Sequence, residues 1–221
     1  QSQMMLENIN RFTGSRHKKK NIVIPNGCHP HVFKRNIKQQ FDILKLLFVG
    51  RFVKQKQPLL FIDTLIELKK RKVEFIAEMY GDGPLKKKVN NLIKTKGLID
   101  NVRVNGHVHF KKMSEVYRSA HVIVIPSLSE GMSISALEAI FSGVYVFATD
   151  VSGMKELINN QINGEIIPAD AFKISERIEN YYKNQFRDHE IIPDEFLNNF
   201  TAKHNWKNIA MEYEYYINKV I

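Results

Sequence analysis

The stretch HVIVIPSLSEGMSISALEAIFSG, residues 121–143, decides the fold class of this chain. It begins with a run of apolar, β-branched side chains over 121–126, which is typical of a buried strand. A turn rich in serine and glycine follows, and residues 133–142 then repeat apolar side chains at helical spacing. A buried strand that leads through a polar turn into a helix is typical of one strand–helix unit of a parallel sheet.

The same alternation extends in both directions from this stretch. Strands are predicted at Ile43–Val49, Phe75–Tyr80, Val102–Asn105, His121–Pro126, Tyr145–Ala148 and Glu165–Ile167, with helices at 57–72, 84–96, 111–119, 133–142 and 153–159. Because the strands are apolar throughout and the helices are amphipathic, the pattern predicts a parallel sheet covered on both faces. With right-handed crossovers this is an α/β, Rossmann-like, doubly wound sheet, followed by C-terminal helices.

Polar or glycine-containing turns follow five of these strands. They are Gly50-Arg51, Gly81-Asp82-Gly83-Pro84, Gly106-His107, Ser127–Gly131 and Thr149–Gly153. The carboxyl ends of parallel strands meet at one edge of a sheet, and open α/β sheets bind ligands at that edge. The sequence therefore predicts a ligand site there.

The chain is divided into three parts by the same pattern. Residues 1–20 are predicted to form a short helix and a basic turn, and 21–200 the Rossmann-like domain, with a strand at Asn21–Pro25 and a turn at Asn26-Gly27. Residues 201–221 are predicted to form an amphipathic helix whose stripe packs on this domain or a neighbour, with an interfacial membrane helix as the alternative. The stripe comprises Trp206, Ile209, Ala210, Tyr213, Ile217 and Val220.

Two glutamates, Glu130 and Glu138, flank seven residues of the central stretch. At about 1.5 Å of rise per residue, eight helical steps would separate their carboxylates by up to roughly 12 Å, which a nucleotide-sugar can span. Free N–H groups of Gly131, Met132 and Ser133 at a helix N-terminus would suit its diphosphate. A capping Glu130 and an ordinary boundary residue at Glu138 fit the spacing equally well. The apolar stripe beside Glu138 is predicted to contain Ile134, Leu137, Ile140 and Phe141.

Composition and charge restrict the classes of partner. Hydrophobic residues make up 43% and charged residues 25% of the chain, as in ordinary globular proteins. The net charge of +10 favours anionic partners such as nucleotides, anionic lipids or nucleic acid. Nucleic acid is not the predicted partner, because aromatic residues are not interleaved with the basic runs. These runs are Lys18–Lys20, Lys69–Lys72, Lys86–Lys88 and Lys111-Lys112.

Several other classes of site are disfavoured. Cys28 is the only cysteine, which excludes an intrachain disulfide and favours a cytoplasmic location, with peripheral contact at the inner face of the membrane left open. No apolar run approaches the ~20 residues that cross a bilayer. His29 and His31 lack further metal ligands beside Cys28, so no metal site is predicted. The turn at 81–83 lacks the third glycine of the dinucleotide fingerprint, which argues against a nicotinamide cofactor.

Six motifs in order make the chain resemble the C-terminal, donor-binding half of retaining glycosyltransferases of the glycosyl transferases group 1 (glycogen-synthase-like) family. The motifs are IPNG at 24–27, VGRFVKQK at 49–56, YGDGPL at 80–85, VNGHV at 104–108, PSLSEGMSISALEA at 126–139 and NGEIIP at 163–168. The resemblance begins at about Ile22 and runs to the C-terminus. It implies a GT-B fold in which residues 1–20 are the remnant of an N-terminal acceptor domain.

The resemblance also implies an activity. The expected reaction is metal-independent, retaining transfer of a hexose-type sugar from a nucleotide-sugar, with a UDP-linked donor favoured and no cofactor. The acceptor would be a saccharide or a lipid-linked molecule held by the N-terminal domain, in bacterial surface polysaccharide or glycolipid synthesis. Without that domain the chain is expected to be inactive.

Residue roles follow from the matched motifs. The resemblance implies that Arg51 and Lys56 grip the donor diphosphate, that Glu130 bonds the sugar hydroxyls as the third catalytic residue, and that Glu138 bonds the ribose. The other implied donor-binding residues are Gly50, His107, Val108, Gly131, Met132 and Ser133. The chain departs from the family where Gln57 and Ser133 stand at positions that often hold glycine, and Ser152 replaces the first glycine of a pair.

Two other interpretations stay open at this point. One is a nucleotide-sugar epimerase of the same architecture, which would convert a single nucleotide-linked substrate. The other is a non-catalytic module that binds nucleotides or nucleic acid, which strongly salt-dependent binding to single strands would identify.

Overall fold

The computed structural model describes residues 6–7, 10–11, 22–35, 43–184 and 192–220. Leu6, Glu7, Asn10 and Arg11 are helical, in the segment where a short helix was expected. The predictions for the Lys18–Lys20 run and for Asn21 lie outside the described residues.

Six parallel strands form one sheet in the order β3-β2-β1-β4-β5-β6. The strands are β1 (Leu44–Val49), β2 (Phe75–Tyr80), β3 (Val102–Gly106), β4 (Val122–Ile125), β5 (Tyr145–Thr149) and β6 (Gly164–Ile167). Every strand end falls within one residue of its predicted position. The Rossmann-like parallel sheet is therefore confirmed, and β1 and β4 lie at its centre.

Helices cover both faces of this sheet. They are α1 (Pro58–Lys70), α2 (Lys86–Thr95), α3 (Phe110–Arg118), α4 (Ile134–Phe141), α5 (Met154–Leu157), α6 (Ala171–Asn184), α7 (Asp194–His204) and α8 (Trp206–Val220). α1, α2 and α6 enclose a core on one face that contains Phe48 and Phe61. α3, α4, α5 and α7 enclose a second core that contains Leu47 and Leu137. From Leu46 to Val49 the side chains of β1 alternate between these cores, so this apolar part of the strand contributes to both.

The segment before β1 does not form the predicted strand. Residues 22–27 are irregular, and the predicted turn at Asn26-Gly27 is found instead at 30–32. Cys28 N–H donates to the carbonyl of His204 at 2.7 Å, and Trp206 N–H donates to the carbonyl of Cys28 at 3.1 Å. The backbone of Cys28, which follows these residues, is thus bound to the junction of α7 and α8 and not to an edge of the sheet.

The C-terminal helix begins at Trp206, later than the predicted 201, because Asn205 has extended dihedral angles and separates it from α7. Ile209 is buried, whereas Tyr213 and Ile217 are 48% and 55% exposed. Only the start of the apolar stripe therefore packs on the described part of this domain. None of the described helices is long and apolar enough to span a bilayer.

Two glycines allow the loops at the carboxyl edge of the sheet to approach one another. A Cβ on Gly81 would lie 1.9 Å from the carbonyl oxygen of Gly50, and one on Gly153 would lie 2.0 Å from that of Gly131. Both glycines also have positive φ angles, 142° and 80°. The loop after β5 can thus contact the loop after β4 only because Gly153 has no side chain.

We expect Gly153→Ala to destabilise the chain by about 3 kcal/mol, because backbone clash and an unfavourable φ act together. The measurement is the free energy of unfolding from urea denaturation followed by circular dichroism. Gly97→Ala is the matched control, since Gly97 has φ 65° but its Cβ would meet nothing closer than Lys69 Nζ at 3.8 Å. That variant should lose only about 1 kcal/mol. Equal losses would show that the contact with Gly131 is unimportant.

Candidate functional site

The loops after β1 and β4 meet where the sheet changes direction. From β1 the chain proceeds outward to β2 and β3, and it then returns to β4 on the other side of β1. Leu128 N–H donates to the carbonyl of Gln55 at 2.8 Å, and Gln55 Nε2 donates to the carbonyl of Ser129 at 3.0 Å. These bonds fix the two loops at the topological switch point, where open α/β sheets bind ligands.

An ion pair crosses this junction. Lys56 Nζ lies 2.5 Å from Glu130 Oε1, and Ser127 Oγ donates to the same oxygen at 2.6 Å. The Lys56 and Glu130 side chains are only 21% and 8% exposed. The Lys56 stem packs over Gly50, with Cγ 3.6 Å from the position of a Cβ there. Two of the predicted catalytic residues are thus in direct contact with each other.

The backbone at Gln57 explains why glycine would suit that position. Gln57 has φ 48° and ψ 52°, in the left-handed region, where it ends the short 3₁₀ turn Lys54–Lys56 and precedes Pro58 of α1. Glycine adopts these angles without steric cost, whereas glutamine does so with some strain. Gln57 therefore adopts here a backbone conformation that glycine adopts more readily.

Arg51, the third predicted catalytic residue, lies in the same loop and is exposed. Its carbonyl accepts from Val53 N–H at 2.9 Å, which keeps the turn after β1 tight. Among the described residues, no salt bridge involves its guanidinium. Arg51 can therefore offer its full positive charge to an anionic ligand.

The N-terminus of α4 opens toward this edge, one residue later than predicted. Ser133 is the N-cap, and its hydroxyl accepts from Ala136 N–H at 3.4 Å. The first-turn N–H groups without an intrahelical acceptor therefore belong to Ile134 and Ser135. Ile134 is 54% exposed, so its predicted place in the buried stripe is wrong, because α4 begins at this residue.

Residues before Ser133 form a loop, so Glu130 is not on the helix, and the ~12 Å estimate from helical rise does not apply. Asn26 holds this loop from the other side. Its Nδ2 donates to the carbonyl of Met132 at 3.2 Å, and its N–H donates to Met132 Sδ at 3.2 Å. Gly131 and buried Met132 are thus fixed between Asn26 and Gly153.

Glu138 is more buried than a residue at the margin of a stripe. It is 9% exposed, and Tyr117 of α3 donates a hydrogen bond from its hydroxyl to Glu138 Oε2 at 2.8 Å. Burial raises the pKa of Glu138 to about 6, and the Tyr117 hydrogen bond opposes that rise. Burial also raises the pKa of the nearby Cys28 thiol to about 12, so Cys28 stays neutral.

His107 and Val108 lie at the end of β3, two strands away from β1. His107 is exposed, and Val108 is partly buried against the core under α3 and α4. The next histidine, His109, caps α3 by accepting from Lys111 N–H at 3.3 Å. His107 and Val108 therefore lie at the outer end of the carboxyl edge of the sheet, away from the ion pair at the switch point.

The described part of the chain contains no group of three or more His, Cys, Asp or Glu side chains placed to hold a metal ion. The diphosphate of a ligand at this edge could instead be met by Arg51, Lys56 and the N-terminus of α4. Independence of metal stays a prediction.

Three residues that organise the site had no predicted role: Gln55, Ser127 and Tyr117. Gln55 lies in the motif at 49–56 and Ser127 begins the turn Ser127–Gly131 at the predicted ligand edge, so the sequence indicated their location but not their contacts. Tyr117 carried no such signal, because its apolar neighbours on α3 make it an ordinary core residue. Only the packing of α3 on α4 shows that its hydroxyl reaches Glu138.

Comparison with known proteins adds the family. Residues 33–196 match the family Glycosyl transferases group 1. An uncharacterised glycosyltransferase of Methanocaldococcus jannaschii is 30% identical over 182 residues, which cover 81% of this chain and 46% of that protein. The chain thus spans about half the length of this relative.

Solved structures share the fold. The sucrose-phosphate synthase of Thermosynechococcus elongatus matches with a TM-score of 0.78 at 20% identity, over 94% of this chain and 56% of that one. HepE of Anabaena, in complex with UDP, matches with a TM-score of 0.78 at 17% identity, over 95% of this chain and 60% of that one. Both likenesses concern the GT-B glycosyltransferase fold. With most of its length matched by the family, the chain belongs to the glycosyl transferases group 1.

Proposed function

We propose that the chain is the donor-binding part of a retaining glycosyltransferase that uses a nucleotide-sugar, with a UDP-linked donor favoured. The observation that carries this proposal is the set of charges at the switch point. Lys56 and Glu130 are paired there, Arg51 is without a salt bridge among the described residues, and the N-terminus of α4 opens beside them. The UDP bound to the structurally similar HepE supports the choice of nucleotide.

The diphosphate would be stabilised by positive charge and backbone N–H groups. Cleavage of the bond between sugar and phosphate develops negative charge on the leaving diphosphate. Arg51, Lys56 and the predicted amides of Gly131, Met132 and Ser133, together with those of Ile134 and Ser135, would meet that charge without a metal ion. Each preorganised donor in a partly dry site can contribute roughly 3–4 kcal/mol to the transition state.

The ion pair would change partners when the donor binds. Before binding, Lys56 neutralises Glu130 at the junction of the two loops. A diphosphate would attract the ammonium group of Lys56 and leave Glu130 to accept hydrogen bonds from sugar hydroxyls, while Ser127 keeps the carboxylate in place. Retention would follow from attack of the acceptor on the face from which the diphosphate leaves.

The nucleoside end would extend toward the other glutamate. Glu138 would accept from the ribose hydroxyls, and the backbone at His107 and Val108 would line the base pocket. The acceptor, a saccharide or a lipid-linked molecule of surface polysaccharide or glycolipid synthesis, would be held by a further domain. A cytoplasmic location with peripheral membrane contact belongs to the same proposal.

We expect the chain to bind UDP, and to bind GDP or ADP less tightly, while transferring little or no sugar without an acceptor domain. Isothermal titration calorimetry with the three nucleotides measures this. Folding is checked by circular dichroism in the same buffer. A folded protein that binds none of them at millimolar concentration would overturn the proposed function.

The two glutamates should respond differently to the same substitution. Glu138→Gln should weaken UDP binding by roughly 1–3 kcal/mol, because the ribose hydroxyls lose a charged acceptor. Glu130→Gln should leave UDP affinity unchanged or slightly raise it, since Lys56 is no longer neutralised. Calorimetry on both variants gives the comparison. Equal weakening by both would contradict the separate roles assigned here.

Phosphate recognition should depend on Arg51 and not on the general positive charge. Arg51→Ala should weaken UDP binding by roughly 2 kcal/mol, because a charge-assisted contact is lost. The control is the double substitution of Lys87 and Lys88 by Ala, both exposed on α2. Lys86 is left in place because its Nζ lies 4.0 Å from the Cβ position of Gly106, close to the proposed base pocket.

The control variant should bind UDP as tightly as the wild type does. Addition of EDTA should leave the UDP affinity of the wild type and of the control variant unchanged. A nucleic-acid module would instead lose affinity about evenly as any basic cluster is neutralised. Equal losses in the single and double variants, or a need for divalent metal, would refute this description of the phosphate site.

A further inference from the structure

We propose that Tyr117 is a positioning residue for ribose recognition, holding the buried Glu138 carboxylate so that one of its oxygens faces the nucleoside. This inference rests on the proposed function and deepens it, because it adds a residue that acts through Glu138 without touching the ligand. It makes the packing of α3 on α4 part of the donor site.

The geometry divides the carboxylate between two tasks. The Tyr117 hydroxyl donates to Oε2 at 2.8 Å. Among the described residues, none donates a hydrogen bond to Oε1. Oε1 is also not one of the fully buried atoms that lack a hydrogen-bond partner in this part of the chain. A ribose hydroxyl that donates to Oε1 would therefore bind a carboxylate whose orientation is already fixed on its other oxygen.

The Tyr117 ring is itself firmly held. Tyr117 is fully buried, and its ring packs edge-on against that of Phe33 with centroids 5.9 Å apart. The hydroxyl therefore has little freedom to leave Glu138. Because these ring contacts do not involve the oxygen, Tyr117→Phe removes the hydrogen bond and keeps the packing.

Few other charges act on this carboxylate in the described part of the chain. The titratable groups that face it are Tyr117 from α3 and Cys28 from the N-terminal segment. Burial raises the pKa of both, so both remain neutral near pH 7. Among the residues that the structure describes, no cation forms a salt bridge with Glu138, and the Tyr117 hydroxyl is the group that lowers its pKa.

Loss of the hydroxyl should have two effects that a change in packing alone would not produce. The carboxylate should turn more freely, which weakens selection for the ribose hydroxyls. Its pKa should also rise above the present value of about 6, because a hydrogen bond to the charged form is removed. Binding that needs ionised Glu138 is lost as pH falls through this pKa, so that loss should begin at higher pH in the variant.

The first measurement compares UDP with 2′,3′-dideoxy-UDP by calorimetry at pH 8, where Glu138 is ionised. We expect the wild type to prefer UDP by about tenfold or more, as loss of hydrogen bonds to a charged acceptor would give. In Tyr117→Phe that preference should fall by about threefold or more, with affinity for the dideoxy analogue changed by less than about twofold.

The second measurement follows the affinity for UDP-glucose from pH 5 to pH 8. Its diphosphate is esterified at both ends, so the ligand does not titrate in this range and the midpoint reports on the protein. The midpoint should be higher in Tyr117→Phe than in the wild type. Glu138→Gln should show no such midpoint. The double variant Glu138→Gln/Tyr117→Phe should have the same pH dependence of UDP-glucose affinity as Glu138→Gln alone.

Tyr145→Phe is the matched control. Tyr145 is also fully buried and donates to a glutamate, Glu165 Oε1, at 3.4 Å, but it lies on β5 away from the candidate site. This variant should keep the wild-type preference for UDP and the wild-type midpoint. An equal change in both tyrosine variants would overturn the inference.

The remaining outcomes separate the inference from the proposed function. If the folded wild type binds no UDP, the proposed function fails and the inference fails with it. If the wild type distinguishes UDP from its dideoxy analogue and Tyr117→Phe does so equally well, at the same midpoint, the function stands and the role of Tyr117 is overturned. Equal weakening toward both ligands would show a purely structural tyrosine.

Discussion

The contact between Lys56 and Glu130 is the interaction on which the rest of the site depends. Both side chains are largely withdrawn from water, so their attraction must offset a desolvation cost that buried ion pairs often fail to recover. Stability alone is therefore a weak reason for the pair. Its bonds to Ser127 and the neighbouring contact of Gln55 with the opposite loop give it a different role. They hold a cation and a carboxylate side by side at the place where the sheet changes direction.

This arrangement depends on three adjacent strands. The loop after β1 carries Lys56, and the loop after β4 carries Ser127 and Glu130. The end of β5 contacts this second loop. Thr149 at the end of β5 donates its hydroxyl to the carbonyl of Ser127 at 2.5 Å, and Gly153 lets the following turn approach Gly131. These contacts hold the loop that places the Glu130 carboxylate within reach of Lys56.

The fold could be predicted from sequence because its signals are local. The strand Val122–Ile125, for example, is buried on both faces, which requires an unbroken apolar run, and a polar turn follows it. Contacts between distant residues had no comparable signal. The bond from Tyr117 to Glu138 joins two helices, and the bridge between Cys28 and Asn205 joins the two ends of the domain. The loop conformation before Ser133 was also missed, since helical spacing alone does not show where a helix begins.

The two glutamates that share one sequence motif are stabilised in opposite ways. Glu130 is neutralised by a flexible cation, and it would regain its free charge only when an anionic ligand attracts Lys56 away. In the described part of the chain Glu138 has no salt bridge to a cation, and its pKa of about 6 leaves the ionised form only modestly favoured near neutral pH. Under the proposed function, a sugar would meet a carboxylate released by the diphosphate, whereas the ribose would meet one held in place by Tyr117. On this view, recognition of the sugar requires the phosphate to bind, but recognition of the ribose does not.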